Sequence, residues 1–382
     1  MAGAHSDQRR ELLLHLYRAA LSAVDGRRRV RAALAADRNE RPVSILAVGK
    51  AASAMTQGAL DALGSRVVRG LVIAPDDGIA HDLLAFPRIT CLAGDHPVPG
   101  ERSLAAGSAA LAFAGATAAG SRVLLLVSGG ASALLEVLAP GVTLAKLQRL
   151  NEWAHSEAVD ITELNARRAS LSLIKAGRLP GLFRNSEVEG LMISDVPGDD
   201  PAVVGSGLLA SPACRVTLVG CLDDALDAAL RAARTRGFDA QRSPARLSGD
   251  AVSAARAACH EFAVGNSNLQ LWGGETVVRL PARPGRGGRC QHFALSAAQQ
   301  IADHPELVVL AAGTDGRDGA SEDAGAIVDG STLARARDAG FDAAKCLEAA
   351  DSGSLLEAAG DLIYTGPTGT NVGDLVMVLR LR

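Results

Sequence analysis

The stretch SILAVGKAASAM, residues 44–55, joins a short apolar run to an alanine-rich segment through Gly49 and Lys50. This order predicts a buried strand, a tight turn and a helix. The chain of 382 residues has 39 basic residues, of which only four are lysines, at positions 50, 146, 175 and 345. Because arginine fills almost every other cationic position, Lys50 indicates a function that needs a compact ammonium charge at this turn.

Strands and helices alternate along most of the chain. The predicted strands of the first part are Ser44–Val48, Arg69–Ala74, Arg88–Leu92, Val123–Val127, Gly190–Ser194 and Arg215–Gly220. The predicted helices are residues 8–37, Ala51–Leu63, Ser103–Ala118, Thr143–Val159, Asn165–Lys175 and Asp223–Arg236. Continuous apolar strands separated by helices predict an α/β fold with a parallel sheet covered on both faces.

The length of 382 residues favours two domains. The polar, turn-rich stretch GFDAQRSPARLSGD after Arg236 is the predicted junction, so the expected domains are residues 1–240 and 241–382. The N-terminal helix could pack on either domain. A helix at Ala251–Phe262, strands at Leu269–Trp272, Thr276–Leu280 and Leu307–Ala312, and a final strand pair predict a second, smaller α/β domain.

Composition excludes several classes of partner. A net charge of −3 and 3% aromatic residues provide neither a basic surface nor stacking platforms, so we expect no nucleic-acid partner. Apolar runs such as Val123–Val127 are as long as strands and too short to cross a membrane. Six cysteines without a CxxC pair, together with an N-terminus that lacks an apolar signal segment, predict a cytoplasmic location.

Glycine-rich and acidic turns follow several predicted strands, where doubly wound proteins bind their ligands. Ser128, Gly129 and Gly130 stand between a strand and a predicted helix, where backbone amides could hold a phosphate or carboxylate. A tight turn without a ligand is the alternative. Asp195 follows the next strand and suits a Mg²⁺ ion that bridges phosphate oxygens.

Three further segments could carry chemistry. In GRGGRCQHFAL, Arg286 and Arg289 suit a triphosphate or a substrate carboxylate, unless the loop is simply exposed. Asp315 follows the strand that ends at Ala312. In YTGPTGTNVGDL, Thr370 and Asn371 belong either to a phosphate or substrate loop or to a hairpin-like connection.

Two common nucleotide motifs are missing from the sequence. No G-x-G-x-x-G follows the first strand, which leaves a standard dinucleotide site unsupported. No G-x-x-x-x-G-K-[ST] occurs either, because Ser44 occupies the place of the first glycine and Ala51 follows Lys50. His96, in GDHPVPG, is explained equally well by a pocket and by a proline-rich turn.

Seven segments together resemble the glycerate 2-kinase family, whose C-terminal part is the MOFRL domain. In chain order they are AVGKAASAM, AGDHPVPG, LLLVSGGASALL, ISDVPGDDPAVVGSG, GGETVV with GRGGRCQ, AAGTDGRDGASEDAGAIVDG and TGPTGTNVGDL. The resemblance implies a Rossmann-like, doubly wound N-terminal domain and a smaller MOFRL-type α/β domain, with the active site in the cleft between them. It also implies ATP-dependent phosphorylation of D-glycerate on its 2-hydroxyl, with Mg²⁺, to give 2-phosphoglycerate and ADP.

The resemblance also assigns residues. Lys50 matches the family's active-site lysine, and Arg289 matches an arginine of its glycine-rich loop. We expect the catalytic residues to be Lys50, Asp195 and Arg289. Substrate and phosphate binding is expected from Ser128, Gly129, Gly130, Arg286, Asp315, Thr370 and Asn371, and metal binding from Asp195 and Asp315. The expected assembly is a monomer or a homodimer.

The sequence departs from the family pattern in places. Ala169 and Ser170 replace a Lys-His pair in the mid-chain helix, and Cys290 replaces an asparagine. These changes could alter which small hydroxy acid is accepted. Two alternative functions stay open. One is reduction of hydroxypyruvate, since some family members are named hydroxypyruvate reductases, and the other is binding of a nucleotide or sugar acid without catalysis.

Overall fold

The computed structural model describes residues 2–156 and 161–381, which form two units. The helices are α1 Ala2–Ala23, α2 Gly26–Leu34, α3 Ala52–Leu63, α4 Glu101–Gly115, α5 Ala131–Leu134, α6 Leu144–Ser156, α7 Ile161–Leu171, α8 Leu222–Thr235, α9 Ala251–Val264, α10 Arg289–Gln300, α11 Thr332–Asp338, α12 Ala343–Glu348 and α13 Ser352–Ala358. The strands are β1 Val43–Val48, β2 Val67–Ala74, β3 Ile89–Ala93, β4 Arg122–Val127, β5 Glu187–Ile193, β6 Cys214–Gly220, β7 Ala240–Arg242, β8 Leu269–Gly274, β9 Leu307–Gly313, β10 Gly325–Asp329, β11 Leu362–Ile363 and β12 Asp374–Arg380.

The parallel-sheet unit comprises Val24–Cys221 and Gly369–Val372. Its six strands are all parallel, in the order β3-β2-β1-β4-β5-β6. This is the strand order of the Rossmann fold, in which the chain winds outward in opposite directions from β1 and β4. The predicted Rossmann-like, doubly wound sheet is therefore confirmed.

Burial and register place the ends of the central strands together. Every residue of β1 and of β4 is buried, as the unbroken apolar runs predict. Val48 at the end of β1 lies opposite Val127 at the end of β4, and Val127 lies opposite Met192 of β5. The residues that follow these three strands therefore emerge at one edge of the sheet.

The mixed-sheet unit comprises the N-terminal residues through Ala23, Leu222–Thr368 and the residues from Gly373 onward. Its sheet has the order β11-β10-β9-β12-β8-β7, and every neighbouring pair is antiparallel except β7 with β8. Helix α10 is buried through most of its length and packs its Phe293 into a core with Phe262 and Trp272. A second α/β domain is thus confirmed.

The unit boundaries differ from the predicted ones. The chain passes from one unit to the other at Cys221 and Leu222 rather than at residue 240, and α1 belongs with the C-terminal residues. The stretch GFDAQRSPARLSGD lies inside the mixed-sheet unit, where Ala240–Arg242 forms strand β7 beside β8. Its polar turns connect elements of one unit, which composition alone does not distinguish from a linker.

Several predicted elements also change. The helix predicted over residues 8–37 is interrupted, because the Asp25 carboxylate accepts a hydrogen bond from the Arg28 amide and begins α2. Val277 forms only an isolated bridge with Asp250, so Thr276–Leu280 is not a strand. Helix α7 ends at Leu171, short of the predicted Lys175. The end of the predicted Thr143–Val159 helix lies outside the described residues.

Within residues 2–156 and 161–381, no helix combines the length and the apolar character needed to cross a bilayer.

Candidate active site

The turns after β1 and β4 are joined by two hydrogen bonds. The amide of Lys50 donates to the carbonyl of Gly129 over 2.9 Å, and the amide of Ala51 donates to the Ser128 hydroxyl oxygen over 3.0 Å. A Cβ on Gly49, whose φ is 128°, would lie 2.2 Å from that hydroxyl oxygen. The glycine therefore lets the two turns approach, and Ser128 fixes the backbone beside Lys50.

The turn after β4 also contacts the segment after β5. Asn371 donates from Nδ2 to Oδ2 of Asp195 over 3.1 Å, and its side chain is buried. A Cβ on Gly129 would lie 2.0 Å from that same carboxylate oxygen and 2.1 Å from the Asn371 Nδ2. The absence of a side chain at residue 129 is what allows Asp195 and Asn371 to lie against the loop.

Lys50 and His96 share the space beside Gly130. A Cβ on Gly130 would lie 3.3 Å from Cγ of Lys50 and 3.2 Å from Nε2 of His96. Gly130 has a φ of 82°, in the left-handed region that favours glycine. The predicted helix after it, α5, is a single turn from Ala131 to Leu134, so the loop amides carry more of any anion binding than a helix dipole does.

Gly129→Ala tests this arrangement. The added methyl group collides with Asp195 and Asn371. We therefore expect kcat/KM of the reaction proposed below to fall by roughly tenfold or more, a loss typical of a misplaced catalytic group. Steady-state kinetics measures the loss. Gly115→Ala is the matched control, because nothing lies within 4 Å of a Cβ there, and it should retain activity. Equal activity of the two variants would contradict the assigned contacts.

A cavity of about 200 Å³ opens inside the parallel-sheet unit next to these turns. Its lining includes His96, Gly130, Ser132, Asn165, Arg168, Asp195 and Ser206. Ser206 donates its hydroxyl to Asn165 Oδ1 over 2.8 Å and exchanges a hydrogen bond with Ser132 over 2.7 Å. Hydroxyl and amide groups on one wall, with a cation and a carboxylate beside them, suit a small polar acid.

Arg168 is the principal cation of the cavity, and two buried charges lie behind it. Its Nε donates to Oδ1 of Asn151 over 3.1 Å. Glu136 and Lys175 form an ion pair in which neither side chain is exposed. Burial lowers the pKa of Lys175 while the Glu136 carboxylate opposes this shift, and burial likewise lowers the pKa of Arg168. The guanidinium group nevertheless stays charged at neutral pH.

The arginines of the GRGGR loop bind carboxylates of the mixed-sheet unit. Arg289 donates from Nε to Asp374 over 2.5 Å and from Nη2 to Glu275 over 2.7 Å. Burial disfavours the charge on Arg289, but these carboxylates hold its pKa above the usual value. Arg286 pairs with Asp323 over 3.0 Å and also with Glu357. An incoming phosphate would compete with these partners.

The start of α10 is capped by a distant carboxylate. Asp318 accepts hydrogen bonds from the amides of Cys290 and Gln291 over 2.9 and 2.7 Å. These amides follow the GRGGR loop, so the anion position that a glycine-rich loop and helix would offer is occupied by Asp318. Burial raises the pKa of Asp318 to about 7, against the lowering effect of the two amides and of Arg289.

Asp318→Asn should change how stability depends on pH. A carboxyl whose pKa is about 7 when folded and 3.8 when unfolded binds its proton more tightly in the folded state. The free energy of unfolding of the wild type therefore falls as pH rises from about 4 to 7. Proton linkage puts this fall at up to about a few kcal/mol. Urea unfolding should show that the free energy of unfolding falls more between pH 5 and pH 8 for the wild type than for the variant. Parallel losses would contradict the assignment.

Asp315 and Thr370 have contacts of their own. Asp315 accepts a hydrogen bond from the Arg317 amide over 3.0 Å within its loop, and Thr370 donates its hydroxyl to the Val24 carbonyl over 2.7 Å. Among the described residues, no group of three or more histidine, cysteine, aspartate or glutamate side chains is placed to hold a metal ion.

The parallel-sheet unit brings together Lys50, Ser128, Gly129, Gly130, Asp195 and Asn371 of the predicted residues. Arg286, Arg289 and Asp315 belong to the mixed-sheet unit. Arg168 is the main addition from the structure. Leu164 and Leu171 of the same helix are buried at positions four before and three after it, so helical spacing could have placed Arg168 on the inner face.

Two family models match the chain. Residues 12–222 match a domain of unknown function, DUF4147, and residues 268–374 match the MOFRL family. Together they cover most of both units described above. The match to DUF4147 alone spans more than half of the chain.

Similar proteins agree with this assignment. D-glycerate 2-kinase of Thermotoga maritima is 31% identical over 88% of this chain and 90% of its own length. An Agrobacterium vitis protein named "Putative hydroxypyruvate reductase" is 34% identical over 88% of this chain and 98% of its own. The crystal structure of Thermotoga maritima glycerate kinase superposes with a TM-score of 0.85 at 29% identity, covering 98% of this chain and all of that one. The chain, which joins a DUF4147 domain to a MOFRL domain, therefore belongs to the glycerate 2-kinase family.

Proposed function

We propose that this protein transfers the γ-phosphoryl group of ATP to the 2-hydroxyl of D-glycerate, giving 2-phosphoglycerate and ADP. The observation that carries the proposal is the meeting of Lys50, the Ser128–Gly130 loop and Asp195 at the ends of adjacent strands β1, β4 and β5. The crevice between β1 and β4 is the switch point at which doubly wound sheets bind ligands. Family membership points to the same reaction.

Lys50 would neutralise the phosphoryl group in transit. Phosphoryl transfer depends on positioning and on compensating charge spread over the phosphate oxygens. The backbone of Lys50 is fixed by its hydrogen bond to Gly129, and its side chain passes Gly130. A point charge held in a defined place is suited to this role.

Asp195 would accept the proton from the substrate hydroxyl. Its carboxylate lines the cavity, and Asn371 holds one of its oxygens. The hydroxyl oxygen forms a bond to the γ-phosphorus as the bond from that phosphorus to the β–γ bridging oxygen of ATP breaks. The proton passes to Asp195, and ADP leaves with the bridging oxygen.

Magnesium fits this donor set as an ion held mainly by phosphates and water. As an alternative to accepting the proton, Asp195 would supply a carboxylate oxygen beside the Gly129 backbone. Asp315, a residue of the mixed-sheet unit, stays a predicted ligand. Mg²⁺ usually binds proteins through one or two carboxylates together with substrate phosphates. When bound, it would offset the negative charge of the phosphates.

Arg289 and Arg286 would bind phosphates of ATP in place of present partners. Arg289 offers a guanidinium fork that pairs well with phosphate oxygens. Its ion pairs with Asp374 and Glu275 keep it charged and oriented before a nucleotide arrives. Substrate binding by Thr370 and Asp315 stays a prediction. Assembly as a monomer or a homodimer also stays a prediction.

Parallel assays test the proposal. The purified protein should form ADP when it is given ATP, Mg²⁺ and D-glycerate, and activity should vanish on chelation with EDTA. Coupling to enolase alone identifies the product, because enolase consumes 2-phosphoglycerate without a mutase. Oxidation of NAD(P)H with hydroxypyruvate would support the reductase instead. The absence of both reactions would support a protein that only binds.

A further inference from the structure

We infer that Arg168 binds the substrate's carboxylate and so selects for 2-hydroxy acids over neutral polyols. This inference rests on the proposed function for the identity of the acid. It deepens that function by giving two cations of the parallel-sheet unit separate binding roles. Arg168 takes the carboxylate, whereas Lys50 is left for the phosphoryl group.

The volume of the cavity limits the size of the ligand that Arg168 can bind. Pockets that hold drug-sized ligands usually measure about 300–1,000 Å³. The cavity lined by Arg168 and Asp195 measures about 200 Å³, which suits a three-carbon acid better than a nucleotide. A carboxylate, rather than a triphosphate, is therefore the anion that this guanidinium group would bind.

The charges around Arg168 leave it available to an anion. Among the described residues, no carboxylate forms an ion pair with Arg168, whose guanidinium group donates to the neutral side-chain amide of Asn151. Glu136 is near enough to influence its pKa, but Lys175 pairs with that carboxylate directly. A half-buried guanidinium without a direct counter-ion is costly, and a ligand carboxylate would compensate it.

Asn151 orients the guanidinium. Its Oδ1 accepts hydrogen bonds from both Nε and Nη2 of Arg168, which fixes the plane of the fork. An arginine fixed in this way can bind both oxygens of a carboxylate at once. A lysine in its place would keep the charge but lose this geometry.

The same cavity then orients the substrate. The carboxylate of Asp195 repels that of the substrate, so the substrate's acid end would face Arg168 and its hydroxyl end would face Asp195. The hydroxyl and amide groups of Ser132, Ser206 and Asn165 are placed to contact the remaining substrate oxygens. This orientation presents the 2-hydroxyl to the proposed proton acceptor.

Direct binding and kinetics together test the inference. Calorimetry without nucleotide compares D-glycerate with its neutral amide for the wild type, Arg168→Gln, Arg168→Lys and the control Arg167→Gln. Arg167 is exposed and pairs with Glu163. The wild type and Arg167→Gln should prefer the acid, and Arg168→Gln should bind it about 10- to 100-fold more weakly, the loss expected for a charge-assisted hydrogen bond. Arg168→Lys should fall between them.

In kinetics, the KM for D-glycerate should rise in Arg168→Gln while the KM for ATP stays within about twofold. Unchanged affinity for the acid in Arg168→Gln, or a wild type that does not distinguish acid from amide, would overturn the inference. If the wild type binds D-glycerate but does not phosphorylate it, the proposed function fails while the binding comparison still decides the role of Arg168. Circular dichroism of each variant excludes misfolding as the cause.

Discussion

Replacing Lys50 by alanine should lower kcat by about 10²- to 10³-fold, the loss that follows removal of one group that stabilises a transition-state charge. Lys50→Arg should lose nearly as much, although it keeps the charge. Cγ of Lys50 and the ring of His96 both lie within 3.3 Å of the point where a Gly130 Cβ would stand. A planar guanidinium group at the end of this side chain would place its charge differently from the compact ammonium group.

ADP release under saturating ATP and D-glycerate measures both variants. Lys345→Arg is the matched control, because Lys345 is exposed on α12, and it should have the kcat of the wild type. Circular dichroism should show all three variants folded. An Lys50→Arg variant with nearly full activity would contradict the requirement for a compact charge at this turn.

Replacing Lys175 by methionine should lower the free energy of unfolding by about 3–5 kcal/mol, the usual cost of breaking a buried ion pair from one side. Lys175 and Glu136 are both fully buried, and the other Glu136 oxygen accepts the Val137 amide over 2.9 Å. The variant leaves the Glu136 carboxylate without its cation in a place that water does not reach. Chemical denaturation followed by circular dichroism measures the change.

The double variant Glu136→Gln with Lys175→Met provides the comparison. A neutral glutamine can still accept the Val137 amide, so the double variant should recover much of the lost stability. In Lys175→Met alone, Glu136 would also attract Arg168 and raise the KM for D-glycerate. If the single variant is as stable as the wild type, the pair does not stabilise the fold as described.

Local sequence patterns predicted the parallel-sheet unit well. Uninterrupted apolar runs such as those of β1 and β4 indicate strands buried on both faces, and their alternation with helices requires parallel pairing. Because the ends of parallel strands lie at one edge, the positions of Lys50, Ser128 and Asp195 after their strands predicted that they would meet. Arg168 escaped this reasoning, since the spacing of a helix places it on the inner face but no strand end marks it.

For the parallel-sheet unit, the sequence by itself determined the order of the strands, the doubly wound sheet and the glycine turns, because apolar periodicity and residues that favour turns act within a few neighbours. Only the tertiary structure decided which charges are paired. Arg289 binds Asp374, Asp318 caps α10, and Asn371 holds Asp195, although these partners are far apart in the chain. Local sequence patterns do not predict such contacts, because the free energy of a buried charge depends on the groups that folding brings around it.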